Sequence, residues 1–243
     1  MKKILSTFAA AIAFILAPAV QAAVITLPVQ TSGYGFMFGN DNVVPDQSRL
    51  NATSYIGVRN NQSTGPYDDM QGLLRFDTRA VSALFNAGDK IVIDSARLEL
   101  QFIGHWGDPT TTTMRVGLGK NDSWLNNALS APLWNQYSED LSSKVFTAFS
   151  PMGMYSFALN GLDFADIGAD QLVSFLLFAD RNASSNYNEL GFNTGSFNRN
   201  ASDVAPRLVL DVSRAPADVP EPGSFALVAL ALAALAVQRK RSA

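Results

Sequence analysis

The 243-residue chain has no cysteine and one histidine, His105. The first absence excludes disulfides, thiolate nucleophiles and zinc held by sulfur. The second excludes metal sites built from several histidines and any chemistry that needs two imidazoles. Helical periodicity is scarce, and unbroken apolar runs are confined to the two ends. A domain without disulfides must rest on its own core, and a chain of this length is long enough to bury one.

The amino-terminal end reads as an export signal. Lys2 and Lys3 precede an apolar stretch from Ile4 to Ala17, and Val20-Gln21-Ala22 supplies small residues where a signal peptidase reads. Residues 1–22 are therefore expected to be a signal helix, cut after Ala22.

The carboxy-terminal end, "VPEPGSFALVALALAALAVQRKRSA", combines three features. Pro220 and Pro222 bias Val219 and Glu221 away from helix and toward extended backbone, the form that protease-type sites accept. Phe225 to Val237 is a thirteen-residue apolar run, about 20 Å of helix, short of a hydrocarbon core about 30 Å thick. Arg239, Lys240 and Arg241 act as a membrane stop and hold the end of the chain on the cytoplasmic side. This end resembles the PEP-CTERM sorting signal of Gram-negative bacteria. The resemblance implies that Pro220, Glu221 and Pro222 are the recognition residues and that an exosortase, a membrane-embedded enzyme, removes the tail. Residues 216–243 are then the sorting signal, with a short transmembrane helix over 225–237 holding the chain transiently at the inner membrane. The alternative is a permanent single-pass anchor.

Removing both ends, so that about residues 23–219 remain, changes the charge. Of 18 Lys and Arg, five leave with the ends; of 21 Asp and Glu, only Glu221 does. The remaining 13 cations and 20 anions give a net charge of −7. So acidic a surface is a poor partner for nucleic acid, which needs a cationic face.

The interior reads as short strands between Gly, Asn, Asp, Ser and Pro clusters. "SARLELQF" sets Ala96, Leu98, Leu100 and Phe102 on one face and Arg97, Glu99 and Gln101 on the other, the period of a half-buried strand. Met70–Asp77, Thr113–Leu118, Met154–Leu159 and Arg207–Val212 are similar, and Tyr55–Val58 and Val24–Val29 are shorter candidates. Leu172–Ala179 is almost wholly apolar, as a strand covered on both faces should be. Two turns of helix are expected over Thr78–Phe85 and one over Gly161–Ile167. Residues 23–215 are thus expected to form an all-β ectodomain, an antiparallel β-sandwich or jelly roll between the two terminal helices.

Several of these strands carry a second resemblance. "YIGVRNNQSTGPYDDMQGLLRFD", "IVIDSARLELQF", "NDSWLNNALSAPLWN" and "APRLVLDV" are similar, in that order, to segments of the DNRLRE, or disaggregatase-related, domain. The serine-arginine-glutamate segment usual before its last strand is blurred here into "NELGFNTGSFNRN". That family implies a β-sandwich of cell-surface proteins, some of which bind polysaccharide.

Sugar rings stack on exposed aromatics, so Trp106, in a Gly-rich "GHWGDP" loop, and Trp134 with Tyr137, in "LWNQY", are candidate carbohydrate contacts. The competing role is loop anchoring, the commoner one for large aromatics; Trp124 is assigned to the core. His105 has no serine or carboxylate at a recognisable spacing and reads as a surface-loop residue. Asp68 and Asp69 are neighbours whose side chains point apart, unlike facing glycosidase carboxylates. Asn40, Asp41 and Asn42, or Asp180, Asn182 and Glu189, are oxygen-rich, yet turn chemistry accounts for them and neither has the spacing of a calcium loop. The sequons at Asn51, Asn61, Asn121, Asn182 and Asn200 fall in expected loops. No catalytic residue, cofactor or metal is assigned.

The expectation is therefore an exported, non-enzymatic protein of the cell envelope or extracellular matrix. Its partners are signal peptidase, exosortase, transiently the inner membrane, and polysaccharide, ending at the cell surface or outside it. A secreted polysaccharide-active hydrolase or lyase is the alternative.

Overall fold

The computed structural model describes residues 22–38, 42–45, 55–59, 69–85, 89–107, 111–120, 137–167, 170–180, 188–195 and 204–215. Among these residues eleven strands carry the fold: β1 (Ala22–Phe38), β2 (Asn42–Pro45), β3 (Tyr55–Arg59), β4 (Asp69–Asp77), β5 (Ile91–Gly107), β6 (Thr112–Gly119), β7 (Tyr137–Phe146), β8 (Gly153–Ala158), β9 (Leu172–Ala179), β10 (Asn188–Asn193) and β11 (Arg207–Arg214). Among the described residues helix is reduced to one turn, α1 (Arg79–Ser82), and a 3₁₀ turn at Phe164–Asp166. Both lie within the stretches expected to be helical. Of the expected terminal helices, residues 1–21 and 225–237 lie outside the described residues, and Ala22, expected to end the first, begins β1; among the described residues no helix is long and apolar enough to cross a membrane.

All strands join one antiparallel sheet, in the order β2-β1-β11-β5-β10-β3-β4-β9-β6-β7, with β8 attached to β5. β1 is long enough to serve two neighbours. Its first half, Ala22–Pro28, pairs with β11, and its second half, Val29–Met37, pairs with β4. The register shifts between Val29 and Thr31, and Arg75 Nε holds the Gln30 side chain there at 2.9 Å. A bulge at such a point bends the strand and increases its twist. The pairings therefore run in a closed circuit, β1 to β11, β5, β10, β3, β4 and back to β1.

The described strands share a hydrophobic core. The alternation of β5 is realised as expected, with Ala96, Leu98, Leu100 and Phe102 buried and Arg97 exposed. Leu74 and Phe76 of β4, Val116 of β6, Phe175 and Leu177 of β9, and Leu208, Leu210 and Val212 of β11 meet them. β9 is buried on both faces from Val173 to Ala179, as its apolar run requires. Phe102, Phe146 and Phe192 pack as a tilted and edge-to-face cluster with centroids 4.9–5.7 Å apart. Burial of this order contributes roughly 1.5–3 kcal/mol per large apolar side chain before the entropy of ordering is subtracted. Ala22–Ser213 is one compact unit.

Three strands were hidden in the sequence. β2 is short, and β7 carries Glu139, Asp140, Ser142 and Ser143 at a sheet edge. β10 begins "NEL", with a buried glutamate.

Candidate functional site

β3, β10 and β5 lie side by side, and their register sorts the residues of one face into rows. Glu189 stands opposite Arg59 on one side and Trp106 on the other; Gly191 stands between Gly57 and Gly104; Asn193 is opposite Tyr55. Directly paired residues share a face, so a row of three glycines separates an Arg-Glu-Trp row from Tyr55 and Asn193. With no side chains in the middle row, the surface carries a trench. A β5 register shift between Gly191 and Phe192 turns Trp106 onto this face, although Phe102 faces the core.

Trp106 enters the trench. A Cβ built on Gly191 would lie 2.3 Å from its Cζ3 atom, and one on Gly104 would lie 3.4 Å from its Cζ2. Only glycine lets the indole come so near the backbone. At the far end the indole meets Tyr55 edge to face, with centroids 5.7 Å apart and planes at 64°. Met70 fills the Gly57 end of the trench, its Cε 2.2 Å from where a Cβ would stand. Trp106 nevertheless remains 37% exposed, and the Met152 side chain, itself exposed, lies beside Gly104. The indole is thus held from beneath with part of its ring left open.

The rim is polar. Arg59 Nη1 meets Glu189 Oε2 at 3.5 Å, with both side chains largely buried. Asn193 Nδ2 donates to Gln101 Oε1 at 2.9 Å, and the same oxygen accepts the Val204 N–H at 2.8 Å.

Several expectations are relocated. Trp106 is not in a loop; it stands near the end of β5. His105, its neighbour, is not a surface-loop residue: it is in the same strand, opposite the buried Leu190, with Nε2 buried and without a hydrogen-bond partner. Adjacent strand residues point to opposite faces, so His105 does not join the aromatic platform. Tyr55, which sequence reasoning placed only in a strand, is the second aromatic of the site. The signal that could have found it is Gly57, two residues on, matched by Gly104 and Gly191.

Asp180 follows β9 and receives Arg115 Nη2 at 2.9 Å, while Asp140 receives Arg115 Nη1 at 2.9 Å. Hydrogen bonding to Asp180 raises the Arg115 pKa further above its ordinary value. Asp180 and Glu189 thus each hold an arginine, and among the described residues no three acidic or histidine side chains gather as metal ligands. Tyr137 begins β7, Asp69 begins β4 and Asn42 begins β2. Trp124, Trp134, Asp68, Asn40, Asp41, Asn182, the sorting residues Pro220, Glu221 and Pro222, and Arg239, Lys240 and Arg241 lie outside the described residues.

Residues 218–241 match the PEP-CTERM protein-sorting motif. That motif implies export, recognition by exosortase, a membrane protease, and passage through the membrane to the cell surface. No curated protein matches the chain. The comparisons give no support to the DNRLRE resemblance.

Proposed function

We propose that the chain is an exported, non-enzymatic protein of the cell envelope or extracellular matrix that binds polysaccharide. Its tail is a transient membrane handle that exosortase removes near Pro220-Glu221-Pro222, and its ectodomain is a DNRLRE-like β-sandwich of jelly-roll type. The observation that carries the sorting part is the motif at residues 218–241. Support for the binding part comes from Trp106, seated on Gly191 and Gly104 beside Tyr55 with part of its ring open.

Two measurements test this reading. In a host with exosortase the mature protein should lose its carboxy-terminal tail by mass, and the Pro220→Ala/Pro222→Ala double variant should retain it. Tail retention by both proteins rejects the sorting reading. The released protein should be retarded in affinity gels containing polysaccharide, without turnover of it, and Trp106→Ala should abolish the retardation. Turnover of the glycan would favour a hydrolase or lyase instead.

A further inference from the structure

The surroundings of Trp106 are apolar on the side toward β8. Met154 of β8 stands opposite Gln101 of β5. Gln101 is bonded to Asn193, whose partner across β10 and β3 is Tyr55. Directly paired residues share a face, so Met154 lies on the face that carries the trench. Met152, just before β8, reaches the same face: its Cε lies 3.8 Å from where a Cβ on Gly104 would stand, beside the indole. Ile103 is there too, its Cγ1 3.3 Å from a Cβ built on Gly191. Trp106, Met152 and Met154 are 37%, 73% and 44% exposed, so a ligand on this face meets ring and thioether first.

The charges near by are engaged. Arg59 and Glu189 share the face with Trp106 and hold each other at 3.5 Å. Farther along β5, Arg97 and Arg207 both meet Glu99, which leaves one positive charge in excess. At roughly 3.3 Å per residue Glu99 is about 15 Å along the strand from Gly104, beyond a Debye length of about 8 Å in physiological salt. Lys144 lies over the Tyr155 ring, 4.9 Å from its centroid, and Tyr155, next to Met154, points to the other face. The domain as a whole, at −7, repels a polyanion before contact. A ligand carboxylate set down beside the indole would be desolvated with no cation among the described residues to receive it, which costs free energy. The C–H face of an uncharged sugar ring meets no such penalty and stacks on the indole.

We propose that the Trp106 site takes a neutral glycan rather than a uronate polymer, and that Met152 is the wall of the site on the β8 side. This rests on the polysaccharide reading above and narrows it to one charge class. The unbranched thioether of Met152 adapts its shape to a sugar edge, while Trp106, fixed on Gly191, supplies the flat surface.

The test runs the exported protein in affinity gels that contain a neutral polymer (glucan, mannan, galactan or xylan) or a polyuronate (alginate or polygalacturonate), at low and high salt. Retardation is expected in at least one neutral gel, unchanged by salt, and in neither polyuronate. Met152→Glu and Met152→Lys then place opposite charges at one exposed position, where the melting curve should match the parent. In the retarding neutral gel both should weaken binding by about fivefold, the effect of roughly 1 kcal/mol, because each removes apolar contact and neither charge has a counterpart on the glycan. Retardation by a polyuronate that fades with salt overturns the proposal and keeps the polysaccharide reading. So does a Met152→Lys protein that binds more tightly than the parent while Met152→Glu binds less. Neutral binding that Trp106→Ala abolishes and neither Met152 variant alters overturns the assignment of Met152. Retardation in no gel overturns the proposal and the polysaccharide reading together.

Discussion

Trp106 rests on Gly191 so closely that a single methyl group between them would stand 2.3 Å from the indole. The pairing of a large ring with a missing side chain means that each residue is tolerated because of the other. Gly191→Ala should force the indole off its seat and destabilise the domain by about 1–3 kcal/mol, the usual range for overpacking. In a Trp106→Ala background the same change should cost far less, since the ring it strikes is gone. A double-mutant cycle by denaturant unfolding measures this coupling. Additive effects would mean that the contact carries no energy.

The row above the trench holds a charge pair in a poorly solvated place. Glu189 has only 3% of its surface exposed and meets Arg59 at 3.5 Å. Glu189→Ala removes the carboxylate and leaves the guanidinium in the same low-dielectric surroundings, which should cost about 3–5 kcal/mol. Replacing both residues by apolar ones of similar volume should cost much less, because neither charge then has to be desolvated. Urea unfolding of the single and double variants separates the two cases. Equal losses would show that the site depends on the charges themselves.

The sequence made the core strands legible because burial on one face imposes a period of two. Leu98, Leu100 and Phe102 declare β5 without help from the rest of the chain, and the continuous run from Leu172 to Ala179 declares β9. β10 was illegible for a physical reason: its glutamate is buried, and it meets Arg59, 130 residues earlier in the chain. β7 was hidden because an edge strand has half its backbone and much of its side-chain surface in water, so Ser142, Ser143 and Lys144 cost nothing there. Trp106 was legible as an aromatic worth attention. The seat it occupies was not, since Gly57, Gly104 and Gly191 become one row only when three distant strands align.

Asp77 links acidity to the start of α1. Its carboxylate accepts Arg79 Nε at 2.9 Å and the Arg79 backbone N–H at 3.0 Å. These bonds, the side-chain one first, lower its pKa below the ordinary 3.8. The folded state therefore binds this proton less tightly than the unfolded chain does. Its stabilising contribution is complete above pH 3.8 and is lost as pH falls from there through the lowered value. The pair is exposed and screened by salt, so the effect should be small. Thermal melts of Asp77→Asn and parent should differ at neutral pH and converge in strong acid. A constant difference down to the most acidic point would remove Asp77 from the acid response.

A handle that is discarded must not be part of what it carries. β11 runs to Arg214, and its core residues Leu208, Leu210 and Val212 are buried against the rest of the sheet. β1 is paired along it from Ala22 with Ser213 to Pro28 with Arg207. The matched sorting segment begins at residue 218, beyond the last of these contacts. Protein released by exosortase should therefore melt within about 2 °C of the intact chain held in detergent, a shift that corresponds to no more than about 1 kcal/mol for a domain of this size. A truncation that ends at Val204 removes β11 and leaves the backbone edge of β1 that it pairs with unbonded, and should leave no cooperative transition. A large loss of melting temperature on release of the tail alone would mean that the tail is a structural element of the domain.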